Sequence, residues 1–369
     1  MENCGERPRA DDLRSPAITI KSEKSWEEKM IARSLIAAMT IAVGLVSGSA
    51  NAADSLKVAL GTDGFVHLPL FVAYDGGLFK EEGIDVELVK FKGGGAAMSG
   101  LVGGSVQFCS CSVQNAINAT EKGAPVKLIG AMIDQYASNI VVTEETAERI
   151  GLTPDMPMEK RLAALKGLKI AAAGAGGSAD FLVRHLAGAA KLSPESDMSL
   201  LYMNDSGAML ASFDRGRIDG FALSSPTSDI AVLDHKGKML IDMSAGQYEP
   251  LAGYPSIAIS AQDSWLADNR AMAVKFLRAI TRADQLIHND PEKAKAAVRK
   301  RFESTSDEVF EAAWKSNAGT YPDTPALTAE TVGRVIQFLS ELQGSKIAGT
   351  PETYFDNSYV EQAVAQLKK

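Results

Sequence analysis

Cysteine is scarce in this 369-residue chain: there are three, and Cys4 falls in a stretch that export would remove. Cys109 and Cys111 remain, one residue apart. That excludes a disulfide framework, and a bridge between the two would close a small strained ring, so buried free thiols are expected. Histidine is also sparse, with four residues, none spaced from another as metal ligands or set in a Ser/His/Asp pattern. No metal site, cofactor or catalytic group is therefore assigned. An excess of positive charge is missing too. Lys and Arg number 38 against 46 Asp and Glu, a net charge of −8, which removes nucleic acid and anionic membrane from the expected partners. Long apolar runs are absent from the body of the chain, so no membrane span is expected there.

The one apolar run lies near the start. Lys29 to Arg33 gives a positive flank, Ser34–Val46 a short apolar core, and Ser47–Ala52 the small residues of an Ala-x-Ala cleavage site. This reads as a secretory signal over 30–52, cut after Ala52. Residues 1–29 read as a gene-model extension ahead of a true start at Met30. No cysteine follows the cleavage region, so a soluble periplasmic product is expected rather than a lipid-anchored one.

Beyond Ala52, strands alternate with helices, the pattern of parallel sheets with helices packed outside. Leu56–Gly61 is a strand with a glycine stop. Ile84–Leu88 alternates strictly, as a strand with one wet face does. Gly93-Gly94-Gly95 breaks the chain before a helix, and the pattern restarts at Leu168 to Gly174. A weak repeat links the halves: Ala96–Val106 lies over Ala208–Ile218, each a small-residue helix, a glycine (Gly104, Gly216) and a β-branched strand start. After Ser260 the chain reads as helices, among them Trp265–Ile287 and a last one capped by Ser358-x-x-Glu361.

Motifs narrow this further. Pro69, Ala73, Gly77-Leu78-Phe79-Lys80-Glu81-Glu82-Gly83-Ile84-Asp85-Val86, the Gly93–Gly95 run and Gly123-Ala124-Pro125-Val126-Lys127 come at set intervals. Leu165–Ile170 with Gly174, Gly177 and Ser178, and Gly216–Gly220, follow in the second half. The chain resembles the ABC-transporter solute-binding proteins for nitrate, taurine, alkanesulfonates and thiamine precursors. Gln107, where such proteins often carry Asp, and Cys109-Ser110-Cys111 depart from the pattern. The resemblance implies an α/β, two-lobed, type II periplasmic binding protein fold with two hinge crossings. Lobe 1 would comprise 53–138 plus 246–369, and lobe 2 139–245. It implies capture of an organic anion or a nitrogen heterocycle by lobe closure, without chemistry, by a monomer that hands its ligand to ABC permease and ATPase subunits. The alternatives are an enzyme resembling pyrimidine-precursor synthesis proteins and a sensor partner of a receptor kinase.

Strand C-terminal ends and helix N-termini line the crevice of an open α/β sheet. The candidate ligand-binding residues are therefore Thr62, His67, Gly94, Gly95, Ser112, Gln114, Tyr136, Gly177, Ser178, Ser224 and Ser225. Asp63 and Asp180 are placed either to bind an ammonium group or to cap helices. An open gap is expected between Gly94 and Gly177.

Overall fold

The structure, a computed structural model, describes residues 54–368. The expected extension and export signal lie outside the described residues. Among the described residues no helix is long and apolar enough to cross a membrane.

Two separate five-stranded sheets form. The first contains β1 (Asp54–Leu60), β2 (Ile84–Lys90), β3 (Phe108–Ser112), β4 (Val126–Ala131) and, from far along the chain, β10 (Ile257–Gln262), in the order β2-β1-β3-β10-β4. The second contains β5 (Ser138–Val142), β6 (Lys169–Ala172), β7 (Ser199–Tyr202), β8 (Gly220–Ser224) and β9 (Lys238–Ile241), in the order β7-β6-β8-β5-β9. Both sheets follow one plan. Four strands run one way, and the fifth, β10 or β5, is inserted antiparallel to its neighbours. The inserted strand is in each case the first after the chain crosses between sheets, through 132–137 outward and 242–256 on return. Gln135 ties the crossings together. Its amide donates to the Met243 carbonyl (2.8 Å) and accepts from the Gly253 N–H (2.8 Å).

The sequence repeat has a structural meaning. Ala96–Val106 and Ala208–Ile218 hold the helix that leads into the third strand of each plan, β3 and β8. Gly104 and Gly216 both take positive φ, 74° and 60°, as the left-handed cap requires.

The helices used below are α1 (Leu68–Asp75), α2 (Gly94–Val102), α3 (Val113–Glu121), α4 (Ser178–Ala189), α5 (Thr227–Leu233), α6 (Arg270–Asn289), α7 (Asp307–Asn317) and α8 (Ser358–Leu367). α6 packs its apolar stripe on the first sheet, where Phe276 stacks on Phe108 of β3 at 4.3 Å between ring centroids. The helix expected over Trp265–Ile287 is broken at Asn269, whose side-chain amide donates to the Trp265 carbonyl and so ends a short first helix, Asp263–Asp268. The expected Ser358 capping box does not form. Helix α8 begins at Ser358, after an N-cap at Asn357 that makes no side-chain cap bond and instead holds Leu327.

Candidate functional site

Five loops at strand C-terminal ends meet between the sheets. From the first lobe come Gly61–His67 after β1, Gly93–Gly94 after β2 and Ser112 after β3. From the second come Gly174–Ser178 after β6 and Ser224–Pro226 after β8. They enclose a chamber of about 20 Å³, whose polar walls are Thr62, His67, Ser110, Ser112, Ser138, Ser178 and Ser224, with Gly61, Gly94 and Gly177 supplying backbone. That volume holds about one water molecule.

The open gap expected between Gly94 and Gly177 is not present. The two glycine loops touch: a Cβ added to Gly94 would lie 3.2 Å from the Cα of Gly177, and one added to Gly174 would lie 2.8 Å from the Cα of Gly93. Only residues without side chains permit backbones this close. The halves are shut rather than fused, because each keeps its own sheet and a chamber survives between them.

Of the residues singled out in the sequence, Thr62, His67, Gly94, Ser112, Gly177, Ser178 and Ser224 line the chamber. Gly95, Gln114, Tyr136 and Ser225 do not. Gly95 faces the Ala175 carbonyl across the cleft. Gln114 is fully buried on α3, behind Ser112. Tyr136, also fully buried, belongs to the first crossing and donates its hydroxyl to the Ser178 carbonyl; burial pushes its phenol well above the usual range. Asp63 pairs with Lys90. Asp180 accepts from the Gly176 N–H, Arg184 and the Tyr202 hydroxyl, and so shapes the glycine loop.

Ser110, at the start of the Ser110–Gln114 segment expected at the crevice, and Ser138 also line the chamber, though neither was among the candidate residues. Ser110 lies two residues before Ser112 on β3 and therefore shares its face. Nothing local marks Ser138, which starts the antiparallel strand of the other lobe.

His67 is buried, not on the surface. Its Nδ1 lies 2.8 Å from Ser110 Oγ and its Nε2 3.1 Å from Thr62 Oγ1, so each ring nitrogen meets a hydroxyl that can take either role. Burial lowers its pKa to about 4, with Asp63 opposing the shift weakly. The imidazole is therefore neutral, and it fixes the first loop to β3.

The chamber wall contains no Lys, Arg, Asp or Glu. It is rich in donors instead. Helices α2, α3 and α4 all begin at it, and none has its first-turn N–H groups satisfied by an N-cap side chain. Ser112 Oγ and Ser178 Oγ are buried there without a hydrogen-bond partner. Unpaired polar groups of this kind cost stability unless something supplies the missing bonds.

Cys109 and Cys111 share one face of β3, both buried, with Cα atoms 5.3 Å apart. Alkylation of the denatured, unreduced protein should label both; labelling only after reduction would overturn the expectation of free thiols.

Two lobes, two crossings and a chamber at the strand ends between them define a protein of the periplasmic binding protein fold. The chain belongs to the NMT1/THI5-like family, which matches residues 64–294. YtlA of Bacillus subtilis (strain 168), whose name describes a binding protein, is 25% identical over 318 residues, 85% of this chain and 90% of that protein. Among solved structures, a Bordetella bronchiseptica RB50 protein superposes with a TM-score of 0.76 at 20% identity, over 85% of this chain and 98% of its own. The alkanesulfonate-binding protein SsuA of Xanthomonas axonopodis pv. citri, bound to MOPS, gives 0.64 at 18% identity over 83% and 100%. The periplasmic nitrate-binding protein NrtA of Synechocystis PCC 6803 gives 0.64 at 16% over 86% and 90%. At these identities the structures speak for the fold, and they agree with the resemblance read from the motifs.

Proposed function

We propose that this protein is a periplasmic solute-binding protein that captures a small organic anion, such as a sulfonate or carboxylate, by lobe closure and delivers it to an ABC importer without altering it. One observation carries the reading: three helix N-termini, two from one lobe and one from the other, converge on a chamber whose unpaired hydroxyls belong to Ser112 and Ser178. Aligned peptide dipoles and free N–H groups favour negative charge at that point, with no cationic side chain needed. Contacts from both lobes make closure and binding one equilibrium, since a ligand shifts populations only by differential affinity. The shut chamber is smaller than any organic anion, so the loaded form holds the lobes slightly wider than here. Support for the importer role and the periplasmic setting comes from the family, from the named functions of SsuA and NrtA, and from the export signal in the sequence.

The test is a panel of sulfonates, carboxylates, pyrimidines and amines read by thermal unfolding and small-angle scattering. A ligand at a hundredfold excess over its Kd stabilises by roughly 2.7 kcal/mol, a rise of several degrees. Ser112→Ala and Ser178→Ala should each weaken that ligand about tenfold. No response from any anion would remove the assignment, and a response to pyrimidines alone would replace the anion with a heterocycle.

A further inference from the structure

A second set of contacts joins the lobes away from the chamber. The Phe65 N–H, in the loop after β1, donates to the Ser225 carbonyl across the cleft (2.8 Å). Asn317, the last residue of α7 in the first lobe, donates through Nδ2 to Ser225 Oγ at 2.6 Å. The same Nδ2 lies 2.8 Å from the Ala313 carbonyl, which can only accept, so the orientation of the amide is fixed. Asn317 and Ser225 are both fully buried, and neither lines the chamber. Next to them Ser316 Oγ donates to Asp229 of α5 at 3.4 Å, again from one lobe to the other. Gly64 lets the loops come together: its φ is +109°, and a Cβ there would stand 2.6 Å from Ser224 Oγ and 2.7 Å from the Ser225 carbonyl oxygen. On the first-lobe side, Phe65 is held in turn by the Tyr321 hydroxyl, which donates to its carbonyl (3.1 Å).

We propose that Asn317 and Ser225 form a latch that favours the shut form of the empty protein, so that Asn317 sets ligand affinity from outside the chamber. The bonds run from protein to protein and involve no guest. Each replaces two hydrations, so its net worth is about 1 kcal/mol, and it is made only when the lobes are shut. The apparent affinity of a ligand scales with the fraction of protein already in the competent state. The shut chamber has room for about one water and the competent form is wider, so weakening the latch raises affinity with every chamber residue intact. Asn317 is thus a positioning residue, acting through the arrangement of the lobes. The inference rests on the reading of the molecule as one that captures by closure.

The test uses the ligand-free chain and small-angle scattering, with near-ultraviolet dichroism as the check on packing. Gly174→Val serves as the open reference, because its side chain collides with Gly93 whatever the latch does. Asn317→Ala and Ser225→Ala should each lower the ratio of shut to open molecules about tenfold, and the double variant should lower it no further than either alone. Should Asn317→Ala fail to fold, Ser225→Ala probes the same bond from the other lobe. Single variants as compact as the parent, beside an expanded Gly174→Val, would overturn the latch and leave closure standing. Additive effects would also overturn it, because the two residues would then not be partners. If Gly174→Val stays compact as well, the lobes do not move, and the latch falls together with the capture reading.

Discussion

Gly174→Val should hold the two lobes apart and abolish tight binding. In the shut form a Cβ on residue 174 would lie 2.8 Å from the Cα of Gly93, a separation that real Cβ atoms essentially never show. The obstacle is backbone, so no side chain can swing aside. Gly174 does not occupy the left-handed region, and within the second lobe the added Cβ meets only the Asn204 side chain, at 3.0 Å, which has to shift by a few tenths of an ångström. The open form should therefore fold normally with its sheet intact. A guest is held only when both lobes close on it, in a form only slightly wider than this one, and a branched side chain at 174 stands between the loops that must approach, so apparent affinity should fall on the order of a hundredfold or more. Gly94→Ala should do the same more mildly, its Cβ meeting the Cα of Gly177 at 3.2 Å and the Asn115 amide at 3.0 Å. Titration calorimetry with the ligand from the panel reads both. Unchanged affinity in Gly174→Val would mean that the glycine loops need not approach each other for binding.

His67 should make the native state sensitive to mild acid. Its folded pKa, about 4, lies below its unfolded value of 6.5, because burial disfavours the cation. Well above pH 6.5 neither state is protonated and the group contributes nothing. As pH falls below 6.5 the unfolded chain takes up a proton that the native ring refuses, so stability drops until pH reaches about 4 and then levels off. The full loss is about 3 kcal/mol. In His67→Gln that segment of the urea-midpoint curve between pH 4 and 6.5 should flatten. Asp284, fully buried, and Asp134 have carboxyls that burial pushes upward, so both act with the opposite sign. They are common to parent and variant and cancel in the comparison. Parallel curves for the two proteins would show that the ring is hydrated in solution.

The two lobes were legible in the sequence because their signals are local. The alternation of Ile84–Leu88, the glycine stops and the paired units Ala96–Val106 and Ala208–Ile218 each report on a few neighbouring residues. The loops that build the chamber were legible for the same reason, since strand ends and helix starts carry the glycines and serines. What a side chain meets across the cleft was not. Ser224 and Ser225 look alike in sequence, yet one faces the chamber and the other is bonded to Phe65 and Asn317. The contact between the Gly94 and Gly177 loops and the burial of His67 likewise depend on tertiary placement. Asn269 was misread because one amide interrupts an apolar periodicity that otherwise runs on.

The inserted strands also bear on the order of assembly. β4 touches no strand of its sheet except β10, which is made more than a hundred residues later, whereas β5 is already present when β8 and β9 arrive. A chain emerging from its amino end can thus complete the second lobe while the first still lacks its penultimate strand. The half that comes first in sequence is the last to become whole, and a product truncated before residue 257 would carry a finished lobe attached to an unfinished one.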